Sequence, residues 1–125
     1  MAKILLIDDN AELLAMEREV LSAAGHEVVT AANGREAVPL FVDTVFDLVV
    51  TDVIMPEKDG LETISHLRRK VPNLKIIAVS GGGMVEAGDY LAMARKLGAA
   101  HTIVKPFTAE QLTKAVDKVL RAGGA

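Results

Sequence analysis

Five short apolar runs, each closed by a polar or turn-forming residue, constrain this chain more than any other feature. They are Lys3–Ile7 (KILLI), Glu27–Ala31 (EVVTA), Leu48–Asp52 (LVVTD), Lys75–Ser80 (KIIAVS) and Thr102–Lys105 (TIVK). Their apolar residues are consecutive and do not alternate with polar ones, as the strands of a parallel sheet covered on both faces require. Between them lie longer segments with helical periodicity. Glu12–Ala24 has Leu13, Leu14, Glu17, Val20 and Leu21 at that spacing, and Gly25 follows as a stop signal. Asn33, with Glu36 three residues on, marks a second helix start, and that helix is expected to run to about Thr44. Pro39 falls inside it and lacks a donor, so a kink or a late start is expected there. Leu61–Lys70, closed by Pro72, is a third helix, and a fourth ends near Leu97 ahead of Gly98. Thr108 and Gln111 form a capping box for a fifth, running to about Arg121. Five strands alternating with five helices predict a doubly wound α/β domain on a five-stranded parallel sheet.

Composition narrows the function. The 125 residues have the size of one domain, and half of them are hydrophobic, so a packed core over residues 1–125 is expected. No cysteine is present, which excludes disulfides, thiol catalysis and cysteine-ligated zinc or iron–sulfur clusters. A net charge of −3 argues against a nucleic-acid module. The opening MAKILLIDD holds four apolar residues between Lys3 and Asp8, too few for a signal peptide or a membrane span. A cytoplasmic protein that engages neither nucleic acid nor membrane is the expectation.

In an open parallel sheet the ligand site lies beyond the carboxyl ends of the strands, at the topological switch point. Here the first strand ends in Asp8-Asp9, the third in Asp52, the fourth in Ser80 and the fifth in Lys105. The second ends in Thr30-Ala31-Ala32 and offers nothing ionisable. If it lies at the sheet edge, in the order 2-1-3-4-5, the four polar ends become neighbours. Each residue also has an ordinary reading. Asp8 or Asp9 serves as a helix cap, Asp52 opens an Asx-turn, Ser80 forms a turn before glycines, and Lys105 is a solvated charge. Independent coincidence at four adjacent strand ends is the weaker explanation.

Three carboxylates in one crevice repel one another, and a divalent cation relieves that repulsion. Ligands that are all oxygen select a hard ion, and Mg²⁺ fits where one or two carboxylates bind directly and water fills the rest. Such an ion attracts phosphate oxygens, Lys105 adds a second positive charge, and Ser80 adds a hydroxyl donor. Asp52, on the central strand, is positioned as a nucleophile that forms an aspartyl phosphate. Phosphoryl transfer asks a protein chiefly for positioning and charge neutralisation, and this set supplies both.

Asp8-Asp9, Asp52 followed by Met55-Pro56 and Gly60, Ser80, and Lys105-Pro106-Phe107, in this order and spacing, resemble the receiver domain of two-component response regulators. The resemblance covers essentially the whole chain. It implies a flavodoxin-like fold and a single-domain phosphoacceptor similar to chemotaxis regulators. It implies that Asp52 accepts phosphate from a phosphohistidine on a sensor histidine kinase or a histidine phosphotransfer protein. It further implies Mg²⁺ ligation by Asp9, Asp52 and the backbone carbonyl of Ile54, with Asp8 acting through a bound water. Lys105 would pair with Asp52 and then with the phosphoryl group. Ser80 and the backbone N–H groups of Val53 and Gly81 would donate to that group. A cis peptide between Lys105 and Pro106 is also implied. A downstream protein would dock on the face of the fourth helix, fifth strand and fifth helix. The chain ends soon after the fifth helix, so a stand-alone receiver is the expectation, with no turnover beyond its own phosphorylation and dephosphorylation.

The chain departs from the family at the switch. The aromatic residue usual three positions before the lysine is replaced by Thr102. The stretch after Ser80, GGGMVEAGDY, is rich in glycine, and its ordering when Ser80 engages phosphate is the expected switch in place of a ring flip. The competing function is a small Mg²⁺-dependent phosphohydrolase with an Asp nucleophile. Such enzymes typically need a second acid two residues beyond the nucleophile, where this chain has Ile54. The glycines after Ser80 match neither G-x-G-x-x-G nor a P-loop, which leaves a nucleotide-binding module without its signature.

Overall fold

The computed structural model describes residues 2–52, 60–80, 92, 95–96 and 98–123. Strands β1 (Lys3–Ile7), β2 (Glu27–Ala31), β3 (Leu48–Asp52), β4 (Lys75–Ser80) and β5 (His101–Val104) form one parallel sheet in the order β2-β1-β3-β4-β5. Four helices are bounded among the described residues: α1 (Ala11–Ala23), α2 (Gly34–Leu40), α3 (Gly60–Lys70) and α4 (Ala109–Gly123). Residues 92, 95 and 96 are helical, in the stretch expected to form a helix before Gly98, but most of that stretch lies outside the described residues.

The pleat divides the core into two layers. Leu5, Ile7, Val49, Ile76 and Ala78 pack with Ala37 of α2 and Ile64 and Leu67 of α3. Ile4, Leu6, Leu48, Val50, Ile77 and Val79 pack with Leu21 of α1 and Leu112, Val116 and Val119 of α4. Two-sided burial is why β1 and β3 carry consecutive apolar residues, each fully buried side chain contributing about 1.5–3 kcal/mol.

Local signals set most boundaries. Asn10 caps α1, its Oδ1 accepting from Leu13 N at 3.0 Å, so neither Asp8 nor Asp9 is spent as the cap. Beyond α1, Gly25 adopts φ 97°, a left-handed conformation that glycine takes without steric cost. Thr108 and Gln111 form the expected box, Thr108 Oγ1 accepting from Gln111 N at 3.0 Å and Gln111 Oε1 from Thr108 N at 2.8 Å.

Two expectations are corrected. α2 starts on time at its Asn33 cap but stops at Leu40, short of Thr44. Pro39 does not delay its start, and the helix closes one residue beyond it. Without an N–H, Pro39 cannot continue the ladder, and the amides of Phe41 and Val42 bond only three residues back, to Val38 at 3.2 Å and Pro39 at 3.1 Å. β5 runs His101–Val104, beginning and ending one residue before the expected span, because His101 already pairs with Ile77. Lys105 therefore stands just past the strand, and the Lys105–Pro106 peptide is cis, as the family resemblance implied. Among the described residues no helix is long and apolar enough to cross a membrane.

Candidate functional site

Pairing between β1 and β3 sets Ile7 beside Thr51, so one residue further on Asp8 comes beside Asp52. By strand alternation Asp8 continues the row Ile4–Leu6, and Asp52 the row Leu48–Val50. Both acids thus top the layer covered by α1 and α4, and both are buried. Lys105 joins them, its Nζ donating to Asp8 Oδ2 at 2.9 Å and to Asp52 Oδ2 at 2.9 Å. The other oxygen of Asp8, Oδ1, accepts from Asn10 N at 2.9 Å, which fixes the carboxylate toward the lysine. Burial works against the charge of Lys105, but its hydrogen bonds to Asp8 and Asp52, with their charges, outweigh it and hold its pKa above 10.5.

Asp9 completes the group from the exposed side. One carboxylate oxygen from each of Asp8, Asp9 and Asp52 lies within 4.8 Å of the others. This donor set suits a hard divalent ion: it is all oxygen, strongly negative, and open to solvent through Asp9. Such an ion would be held by oxygens of this acidic group.

The other expected site residues fall as follows. Ser80 ends β4 in register with Val104, one position from Lys105, and its side chain lies outside the described part. Thr102 is half-buried in β5, and its Oγ1 accepts from Arg95 Nη2 at 3.4 Å. Val53, Ile54 and Gly81 lie outside the described residues, as do Met55-Pro56 and the run from Gly81 to Tyr90. His101, beside Thr102, is half-buried, and desolvation, then Lys118 and Arg95, push its pKa below 6.5.

Sequence reasoning missed one residue. Glu17 of α1 is only 2% exposed, and its pKa is pushed up to about 7. Burial is the main cause, Asp8 and Asp52 add to it, and Lys105 opposes it. The signal was legible: a carboxylate stood in the apolar spacing of α1.

Fold and site together define a doubly wound α/β domain with an acid-and-lysine pocket at its switch point. The profile of the response regulator receiver domain matches residues 4–117, and the chain belongs to that family. The chemotaxis protein CheY of Thermotoga maritima is 36% identical over 118 residues, which cover 94% of this chain and 96% of that protein. A response regulator receiver domain protein from Clostridium thermocellum has a closely similar structure, with a TM-score of 0.89 and 31% identity, over 98% of this chain and 96% of that one. NtrX from Brucella abortus matches with a TM-score of 0.91 and 29% identity over 98% of this chain, which spans only 28% of the NtrX chain.

Proposed function

We propose that this chain is a phosphoacceptor of two-component signalling, phosphorylated on Asp52. The observation that carries this reading is Lys105 Nζ, 2.9 Å from both Asp8 Oδ2 and Asp52 Oδ2, with Asp9 alongside. The donor is a phosphohistidine on a sensor histidine kinase or a histidine phosphotransfer protein. A carboxylate oxygen of Asp52 forms a bond to phosphorus as the phosphorus–nitrogen bond of the donor breaks, and that bond's electron pair stays on the imidazole. Lys105 moves its hydrogen bond from Asp52 to the incoming phosphoryl oxygens, while Asp8 keeps the ammonium in place. Asp9, Asp52 and the Ile54 carbonyl would hold Mg²⁺, with Asp8 acting through water. When bound, the ion neutralises the phosphoryl oxygens and orients them for transfer. Ser80 and the backbone N–H groups of Val53 and Gly81 supply the remaining donors, and Ser80 with Thr102 carries the switch.

The phosphorylated form acts on a downstream protein through the face of β5, α4 and the helix predicted before β5. Its setting is the cytoplasm, and neither nucleic acid nor membrane is a partner. The likeness to CheY over nearly the full length of both chains supports a signalling role over a turnover enzyme. Incubation with acetyl phosphate and Mg²⁺, followed by intact mass, tests the site. The wild type gains one phosphoryl group and Asp52→Asn gains none; a labelled variant would move the acceptor elsewhere.

A further inference from the structure

α1 packs on β1, β2 and α4. Leu14, Glu17 and Leu21 follow one another at spacings of three and four residues, so they share the face of α1 that meets this packing. Leu14 and Leu21 join the apolar cluster of that layer, and Glu17 is buried among the same elements at 2% exposure. Among the described residues, no hydrogen bond or ion pair reaches its carboxyl. The charged groups that act on it come from other segments: Asp8 after β1, Asp52 at the end of β3, and Lys105 after β5. α4 turns Leu112, Val116 and Val119 to this layer, and β2 turns Val28. Glu27, at the opposite end of β2, is paired with Lys3 at 3.2 Å.

A buried carboxyl without a partner destabilises a fold, and a leucine would suit the stripe better. Its position explains what it contributes instead. It is buried in the same layer that Asp8 and Asp52 top, beside a pocket that, on the reading above, must hold a divalent cation, and this inference rests on that reading. We propose that Glu17 is a positioning residue of the acidic pocket. Its charge, from the layer that Asp8 and Asp52 top, tightens the hold on the divalent cation without touching it, and the fold is less stable as a result. Because burial and the two aspartates raise its pKa to about 7, with Lys105 opposing, the extra charge enters the pocket across the neutral range.

The test compares the full chain with E17Q and E17L by calorimetric titration of Mg²⁺, near pH 6 and near pH 8.5, with thermal midpoints alongside. At the higher pH both variants bind Mg²⁺ roughly threefold to tenfold more weakly than the wild type, and at the lower pH the three agree. E17L melts above the wild type at the higher pH. Variants that match the wild type at the higher pH overturn the proposal, and so does a loss equal at both pH values, which marks distortion and not charge. Should E17Q fail to fold, E17L carries the comparison. Absence of Mg²⁺ heat in every protein overturns the pocket reading and this inference with it; a wild-type isotherm shared by the variants overturns the inference alone.

Discussion

Lys105 touches two buried aspartates at once, so removing its ammonium takes away the cation that Asp8 and Asp52 share. Breaking a buried ion pair by deleting one partner costs about 3–5 kcal/mol, and partial exposure of the lysine lowers that toward about 2 kcal/mol. Lys105→Met should therefore lose about that much stability at neutral pH in a denaturant titration and regain part of it with added Mg²⁺. Unchanged stability would mean that the three groups do not share charge in solution. The pKa of the lysine is raised, so loss of its own proton costs nothing at neutral pH, and that loss removes its contribution only as pH climbs past 10.5 through the folded value. Glu17 acts with the opposite sign. Its pKa rises from 4.5 to about 7, so within that window the folded state binds more protons than the unfolded chain. Stability must then fall as pH rises through the window, by roughly 3 kcal/mol in full. Glu17→Gln should flatten this part of the stability–pH curve in stepwise denaturation; a retained slope would assign it to other groups.

α2 shows how a cap and a stop share control of a short helix. Asn33 Oδ1 accepts from Glu36 N at 3.0 Å, and Glu36 Oε1 accepts from Ala32 N at 2.8 Å, so two bonds hold the start and a substitution at Asn33 removes the first of them. Asn33→Ala should cost about 1 kcal/mol, and faster amide exchange confined to residues 34–40 would locate the loss; no change there would mean that α2 is held by packing alone. The start of this helix was legible because capping is local chemistry. Its end was not, because whether proline kinks or closes a helix depends on what packs afterwards. Here the Phe41 ring meets Phe46 at 5.0 Å between centroids, and the chain turns back toward β3. The strands were legible for a different reason: burial on both faces demands consecutive apolar residues, which few other contexts do. Period-two alternation then carried Asp8 and Asp52 onto one layer, so the pocket could be read from strand ends. Glu17 escaped that logic. Helical spacing says which face a residue occupies but not what stands opposite, and only the assembled α1–β1–α4 layer brings it into the layer that the acids top.

The Lys105 ion pairs join segments 97 and 53 residues apart, so the pocket closes only when the sheet order is complete. β1 and β3 supply acids from adjacent strands, whereas the lysine arrives from beyond the far edge, across β4. Any cation or phosphoryl group bound there bears on three segments at once, and its binding energy becomes folding energy for the native state alone. Mg²⁺ should raise the thermal midpoint progressively, with about 2.7 kcal/mol of stabilisation at a hundredfold excess over the dissociation constant. Asp9 separates this linkage from the fold itself. It is exposed and lies outside the lysine bridge, so Asp9→Ala should change stability little in the absence of Mg²⁺, or raise it slightly by easing repulsion among the acids. On the proposed ligand set, the same substitution should abolish most of the Mg²⁺-dependent rise, because it removes one of the cation's carboxylates. If the rise survives in Asp9→Ala, the cation binds elsewhere. If it vanishes while the metal-free midpoint holds, the acids assembled by the β2-β1-β3-β4-β5 order are the cation site, and Lys105 is the link through which an occupied pocket reaches the segment beyond β5.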